Sequence, residues 1–303
     1  MQIVIGVDGS PEAEQACWFV ADRTWPAGSR VVLVAAYTPR VEWASYAAVG
    51  IDVSDERHDE LEALLDERAE IFRRSGALRV RVEVGIGPAG DVLAKAASDH
   101  FADLVVVGSR RRGPLSSAIL GSVSAHLVDR SPCPVLVVRQ PTATRMLVAT
   151  DGTPSSRSIP TILAAWNPAF RGLPVEVLSV APRYAFVTPW SGQEAEDDPG
   201  IEDLAFHRDI AEHVADELMD LGWHSAAVAR AGAPEKEIVA AGKAWGADLI
   251  VTGSRGIGTL QRLVGGSTAH DVLLHTQSSV LVVRGQVPAP MRGAQVIAGA
   301  ALC

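Results

Sequence analysis

Residues 247–267, ADLIVTGSRGIGTLQRLVGGS, combine a short apolar run with a glycine-rich loop. The apolar run at 249–251 is typical of a buried strand, and the loop begins at Gly253. Further glycines stand at 256, 258, 265 and 266, where helical residues return. Glycine lets the backbone approach an anion closely, and the free N–H groups of a helix start attract negative charge. This order of features favours a phosphate-binding loop, although a tight surface turn gives the same pattern.

The same stretch occurs earlier in the chain, as ADLVVVGSR at residues 102–110. Other residues recur at nearly the same spacing: Asp8 with Asp151, Gly108 with Gly253, Gly121 with Gly266, and Arg139 with Arg284. A constant offset of this length predicts a duplicated domain. We therefore expect one domain over residues 1–140 and a second over 145–285. Residues 286–303 are rich in Pro, Gly and Ala, and we expect a flexible tail outside the core.

Each half alternates apolar runs with amphipathic helical stretches. In the first half the runs lie at 2–7, 30–36, 79–84, 103–107 and 134–138. This alternation predicts an α/β fold with two tandem five-stranded parallel sheets, strand order 3-2-1-4-5 and helices on both faces. The run at 79–84 alternates polar and apolar residues, which indicates a strand at or near an edge. Long loops are expected at 37–53 and 181–200.

The fifth strand of each half would form an exposed apolar edge, with the sequences PVLVV and SVLVV. An open edge of this kind invites aggregation. We therefore predict that the two copies cover each other's fifth strand, which gives a pseudo-dimer within one chain.

Composition argues against several functional classes. The chain has 303 residues and a net charge of −9, with both halves mildly acidic, so neither half offers the basic face that nucleic acid requires. No apolar run approaches the ~18 residues of a membrane span. The isolated cysteines, Cys17, Cys133 and Cys303, have no metal-ligand spacing, and we expect no metal site. They fit a reducing compartment, and with no signal-peptide pattern we expect a cytoplasmic protein.

The most unusual features of each half are expected to meet at one place. Asp8 and Asp151 follow strand 1, and the glycine loops begin where strand 4 ends. In the order 3-2-1-4-5 the connection reverses between these strands, and ligands bind in that crevice. A carboxylate there can accept hydrogen bonds from ribose while the loop and helix start hold phosphates. Each aspartate taken alone is equally well explained as a turn or helix-cap residue.

This combination resembles the universal stress protein family, whose ATP-binding members carry G-x2-G-x9-G-(S/T) after strand 4 and an aspartate after strand 1. The second half matches the motif in full, at Gly253, Gly256, Gly266 and Ser267. The first half matches at Gly108, Gly121 and Ser122 but has Arg111 as its middle residue. The resemblance covers nearly the whole chain and implies a flavodoxin-like, adenine nucleotide α-hydrolase-like fold.

The resemblance also implies a nucleotide site in each half. In the second half the implied residues are Asp151, Val180, Gly253, Arg255, Gly256, Gly266, Ser267 and Thr268. In the first half they are Asp8, Ala36, Gly108, Arg110, Gly121, Ser122, Val123 and Ser124. By this resemblance the aspartates contact ribose or adenine, the main chain at Ala36 and Val180 meets adenine, and the glycine loop and helix start hold phosphates.

The function implied is that of a stress-response sensor or regulator that binds ATP, ADP or AMP, alone or with Mg²⁺, and forms a homodimer. Two alternatives remain open at this point. One is a slow ATPase or phosphotransferase, against which stand the missing Walker A lysine and the lack of an assignable base. The other is a structural or partner-binding protein without nucleotide, which Arg111 favours for the first half.

Overall fold

The computed structural model describes residues 1–38, 56–76, 78–109, 121–183, 185–187, 194–196, 201–254 and 268–284. The first half contains β1 (Gln2–Gly6), α1 (Pro11–Ala21), β2 (Arg30–Tyr37), α2 (Glu56–Ser75), β3 (Arg79–Ile86), α3 (Ala89–Asp99), β4 (Leu104–Gly108), α4 (Ser122–Arg130) and β5 (Val135–Val138). The second half contains β6 (Met146–Ala149), α5 (Pro154–Arg157), α6 (Ile159–Ala165), α7 (Asn167–Phe170), β7 (Pro174–Pro182), β8 (Ala185–Val187), β9 (Glu194–Glu196), α8 (Ile201–Asp220), β10 (His224–Gly232), α9 (Pro234–Trp245), β11 (Leu249–Gly253), α10 (Thr268–His275) and β12 (Ser279–Val283). The tail expected at 286–303 lies outside the described residues.

The strands form one ten-stranded sheet in the order β10-β7-β6-β11-β12-β5-β4-β1-β2-β3. The predicted order 3-2-1-4-5 is confirmed in each half, and β3 lies at an edge as expected. Strands within a half pair in parallel, whereas β5 and β12 pair antiparallel with Leu136 opposite Leu281. The predicted pairing of the two fifth strands is therefore confirmed, and it joins the two parallel sheets into one mixed sheet. In the segment expected as a loop, β8 and β9 form a separate antiparallel pair.

Two hydrophobic layers lie against the sheet, one on each face, and each runs through both halves. One layer contains Ile3 and Leu104 together with Phe19 of α1. The other contains Val4 and Leu127 of α4. Burial on both faces explains why the central strands read as continuous apolar runs. Each such side chain contributes about 1.5–3 kcal/mol when fully buried.

Two arginines that recur in the sequence hold each half to a helix of the other. The guanidinium of Arg139, after β5, donates to the carbonyl oxygen of Thr276 at 2.9 Å and to that of Leu273 in the last turn of α10. Arg284, after β12, donates to the carbonyl oxygen of Val128 in α4 at 2.6 Å. A cation at the carboxyl end of a helix also interacts favourably with the helix dipole. The repeat thus supplies two related clamps across the β5–β12 junction.

The counterpart of α1 in the second half is divided into α5 and α6, and a third short helix, α7, follows them. Pro160 and Pro168 each occupy the first turn of a new helix, where the missing N–H costs nothing, but neither could continue the preceding helix. The third segment carries Phe170, whose ring makes an edge contact with Trp25 of the first half at a centroid distance of 6.0 Å. Trp223 donates its indole N–H to the Phe170 carbonyl at 3.1 Å. Helix α7 therefore contributes to the packing between the halves through Phe170.

Candidate functional site

Each half has a crevice at the carboxyl ends of its central strands. The N-terminal crevice lies where β1 and β4 end, beside the first turn of α4. The C-terminal crevice lies where β6 and β11 end, beside the first turn of α10. These positions are the switch points of the two strand orders, where the chain connections leave in opposite directions.

The N-terminal crevice has a volume of about 280 Å³. Its lining includes seven of the residues predicted from the sequence: Asp8, Ala36, Gly108, Gly121, Ser122, Val123 and Ser124. The eighth, Arg110, lies outside the described residues, as does Arg111. Sequence reasoning missed the wall formed by Ala89 and Leu93 of α3. Only the topology reveals that wall, because α3 packs across β1 and β2 from a distant part of the chain.

Asp8 is exposed at the rim of the N-terminal crevice and is held in a tight turn. Its Oδ1 accepts hydrogen bonds from the Ser10 backbone N–H at 3.0 Å and from the Ser10 hydroxyl at 2.5 Å. Gly9 has φ +79°, a conformation that favours glycine. Ser10 then caps α1 by accepting from the N–H of Ala13 at 3.2 Å. Asp8 is therefore both a turn residue and a crevice residue, because the turn that it stabilises also places its carboxylate at the rim.

Helix α4 begins beside the crevice without a side-chain cap. Gly121 is its N-cap residue, and among the described residues no side chain of the cap position bonds to the first N–H groups. These groups have no partner inside a helix. Among the described residues, the nearest neighbour of a Cβ on Gly121 would be the Ser124 hydroxyl at 3.9 Å, so packing against these residues does not require glycine there. The helix start therefore offers N–H donors and positive potential to an anion.

Close packing explains why residue 108 is a glycine, and the sequence pattern did not reveal this packing. A Cβ at this position would lie 2.3 Å from the carbonyl carbon and oxygen of Glu12, in the first turn of α1. Gly253 has the same relation to α5, with a Cβ 2.9 Å from the backbone nitrogen of Ser156. The glycine that opens each loop lets a helix start pack directly on the end of the fourth strand.

The C-terminal crevice is smaller, with a volume of about 80 Å³. Its lining includes four of the predicted residues: Asp151, Val180, Gly253 and Thr268. The remaining four, Arg255, Gly256, Gly266 and Ser267, lie outside the described residues.

Hydroxyl groups gather around Asp151 in the C-terminal crevice. Its Oδ1 accepts from the Thr153 N–H at 3.1 Å, from the Thr153 hydroxyl at 2.6 Å and from the Ser156 hydroxyl at 2.9 Å. The residue at the position of Ser156 in the first half is Ala13, which has no hydroxyl. Ser156 is among the residues that line the C-terminal crevice. The substitution is visible in the sequence at an offset of 143, but its orientation toward the aspartate required the structure.

His207 of α8 lies near this cluster. Its Nδ1 is 2.8 Å from the hydroxyl of Ser179 on β7. Burial lowers the pKa of His207, while the carboxylates of Asp203 and Asp151 act in the opposite direction. No pattern in the sequence had marked this residue.

The described part of the chain offers neither a metal-binding cluster nor a membrane-spanning helix. There, no group of three or more His, Cys, Asp or Glu side chains is arranged to hold a metal ion. Of the helices in these same ranges, none combines the length and the apolar character needed to cross a membrane.

Comparison with known proteins identifies one family. The Universal stress protein family matches residues 1–139 and again residues 142–284. The universal stress protein Rv2005c of Mycobacterium tuberculosis is 28% identical in an alignment 303 positions long. The alignment covers 93% of this chain and 96% of that protein. A universal stress protein of Thermus aquaticus is 32% identical over 138 residues, 45% of this chain and 97% of its own. A crystal structure of a universal stress protein from Archaeoglobus fulgidus has a TM-score of 0.69 and 19% identity, covering 94% of this chain and 98% of that one; this likeness concerns the fold alone.

Proposed function

The chain belongs to the universal stress protein family, and we propose that it binds an adenine nucleotide in the N-terminal crevice and acts as a stress-response sensor or regulator. One observation carries the proposal: a carboxylate and an uncapped helix start lie around the same crevice, at the switch point of the sheet. The proposed ligand is ATP, ADP or AMP, alone or with Mg²⁺.

The phosphates are assigned to the first turn of α4. The N–H groups of Ser122, Val123 and Ser124 begin this helix, and Gly121 leaves open space in front of them. Hydrogen bonds from several such N–H groups, together with the helix dipole, stabilise a phosphate without requiring a lysine. The hydroxyls of Ser122 and Ser124 line the same crevice and supply further donors.

The nucleoside is assigned to the opposite side of the crevice. Apolar side chains of Val34, Leu93 and Val107 line it together with Ala36 at the end of β2. Sites for flat organic ligands combine such apolar walls with a few polar groups that set the orientation. The Asp8 carboxylate at the rim is suited to accept hydrogen bonds from ribose hydroxyls.

We assign the C-terminal crevice as a second, weaker site. Its glycine motif is complete in the sequence, which favours binding. Its volume of about 80 Å³ lies well below the ~300 Å³ at the lower end of ligand pockets, whereas the N-terminal crevice approaches that value. Nucleotide binding there requires the side chains around Asp151 to move apart.

The proposal is for binding rather than turnover, because the sequence offers neither a Walker A lysine nor an assignable base for attack on the γ-phosphate. We further propose that the protein acts in the cytoplasm as a homodimer. The outer strands of the ten-stranded sheet are β3 and β10. Light scattering of the purified protein tests the dimer by its molar mass.

The experiment for nucleotide binding has two parts. Protein purified without added nucleotide is denatured, and the released small molecules are identified by mass spectrometry. The same preparation, freed of ligand, is titrated calorimetrically with ATP, ADP and AMP, with GTP as the control for base recognition. We expect adenine nucleotides to bind more tightly than GTP. If no adenine nucleotide co-purifies and millimolar ATP leaves the melting temperature unchanged, the proposal is wrong.

A further inference from the structure

A second concave surface lies at the amino ends of β1, β2 and β3. The N-terminal crevice lies at the other end of the strands, where their carboxyl ends are. This groove has a volume of about 470 Å³. Its polar lining consists of Gln2, Arg30, Arg79, Arg81, Asp99 and His100. We call it the arginine groove. None of its residues takes part in the nucleotide site proposed above.

The three arginines lie on one face of two neighbouring strands. Arg30 of β2 stands directly opposite Arg79 of β3, and Arg81 follows two residues later, opposite Val32. All three are exposed. Like charges at directly opposite positions of a sheet repel each other. An anion in the groove would relieve this repulsion.

The acidic side chains around the groove each contact a group other than its three arginines. Asp99 pairs with Lys95 one turn earlier in α3, and Glu83 of β3 pairs with His100 at 2.7 Å. Asp103, just before β4, accepts the N–H of Gln2 at 2.7 Å. Within the described ranges, no ion pair involves Arg30, Arg79 or Arg81. Three guanidinium groups without an ion-pair partner among the described residues therefore line one groove of a protein whose net charge is −9.

The second half shows that the fold does not require these arginines. The positions of Arg30, Arg79, Arg81 and His100 are taken there by Pro174, His224, Ala226 and Trp245. In that half the guanidinium of Arg145 lies over the Trp245 ring, 5.4 Å from its centroid. The same strands thus form without the basic cluster, so the arginines of the first half are not a requirement of the repeat.

We propose that the arginine groove binds the phosphate group of a small anion, as a phosphomonoester or diphosphate. Guanidinium groups bind phosphate oxygens through paired hydrogen bonds. Three guanidinium groups match the charge of a phosphate ligand with two or more negative charges better than that of a ligand with a single carboxylate. The volume exceeds what one phosphate needs and leaves room for a substituent beside Val32 and Val80. This inference does not depend on nucleotide binding at the crevices.

Calorimetric titration with inorganic diphosphate tests the proposal. The double variant Arg79→Gln, Arg81→Gln is expected to weaken diphosphate binding about tenfold or more. Each hydrogen bond lost is one between a charged guanidinium group and a charged phosphate oxygen. The control Arg208→Gln removes an exposed arginine on α8 and is expected to leave affinity unchanged. Separate titrations with inorganic phosphate and glycerol phosphate show whether a free or an esterified phosphate binds more tightly. ATP binding at the N-terminal crevice is expected to be the same in the double variant.

A thermal-shift measurement separates a binding role from a structural one. In low-salt, phosphate-free buffer, Arg79→Gln is expected to melt at or above the wild-type temperature, because it removes a repulsion. Diphosphate is expected to raise the melting temperature of the wild type more than that of the double variant. Equal diphosphate affinity in the wild type and the double variant would overturn the proposal, as would loss of diphosphate binding on substitution of Gly121 alone.

Discussion

Substitution of Gly121 by aspartate should separate nucleotide binding from folding. Gly121 is the N-cap of α4 with φ −59° and ψ 139°, and a Cβ there has no neighbour closer than 3.9 Å within the ranges that the structure describes. Aspartate is a preferred N-cap residue, so stability should be unchanged or increase by a few tenths of a kcal/mol. Its carboxylate, however, would occupy the space assigned to phosphate. Two charges ~4 Å apart repel by about 4 kcal/mol near a protein surface, and with screening we expect ATP affinity to fall about a hundredfold to a thousandfold.

Calorimetry with ATP measures the affinity, and urea unfolding measures the stability of the same preparations. The matched control is Gly121→Asn, which caps the helix without a charge and should weaken ATP binding much less. The corresponding substitution in the second half, Gly266→Asp, should affect only the weaker site. Gly121→Asp protein that is folded and binds ATP like the wild type would refute the assignment of phosphates to α4.

Three further predictions concern packing, the junction between the halves and pH. Gly108→Ala should lower the free energy of unfolding by about 1–3 kcal/mol because its Cβ would meet the Glu12 carbonyl at 2.3 Å, whereas Gly121→Ala should be nearly neutral; urea unfolding compares them. Arg139→Met removes donors to the carbonyls of Leu273 in α10 and of Thr276 just after it and should cost about 2–4 kcal/mol by the same assay, and an unchanged midpoint would contradict the clamp. Burial holds the pKa of His207 below its usual 6.5, so wild-type stability should fall as pH drops through that value, where the unfolded chain takes up the proton first. His207→Gln should reduce this fall between about pH 7.5 and 5.5, and identical pH profiles would contradict it.

The sequence predicted most of the architecture because its signals were local and repeated. Continuous apolar runs marked strands buried on both faces, and the alternating run at 79–84 marked the edge strand β3. The exposed fifth strands had to be covered, and the structure pairs β5 with β12. Switch-point geometry predicted a crevice at Asp8 and at Asp151, and each crevice is present.

Other features depended on contacts that no local pattern encodes. The close approach of Gly108 to α1 involves residues almost a hundred positions apart, so the pattern suggested only an anion loop. The hydrogen bond to Asp151 depends on the direction of the Ser156 hydroxyl, which the residue type alone does not determine. The complete glycine motif favours the second half as the better nucleotide site, whereas the volumes of the two crevices favour the first half. That ranking needs side-chain packing as well as glycine spacing.

A crystal structure of the protein grown with ATP tests the central claim most directly. We expect phosphate density in the N-terminal crevice, with oxygens about 2.7–3.2 Å from the backbone nitrogens of the first turn of α4, and ribose beside Asp8. An N-terminal crevice that stays empty at saturating ATP, or a nucleotide bound there with its phosphates directed away from α4, would contradict it.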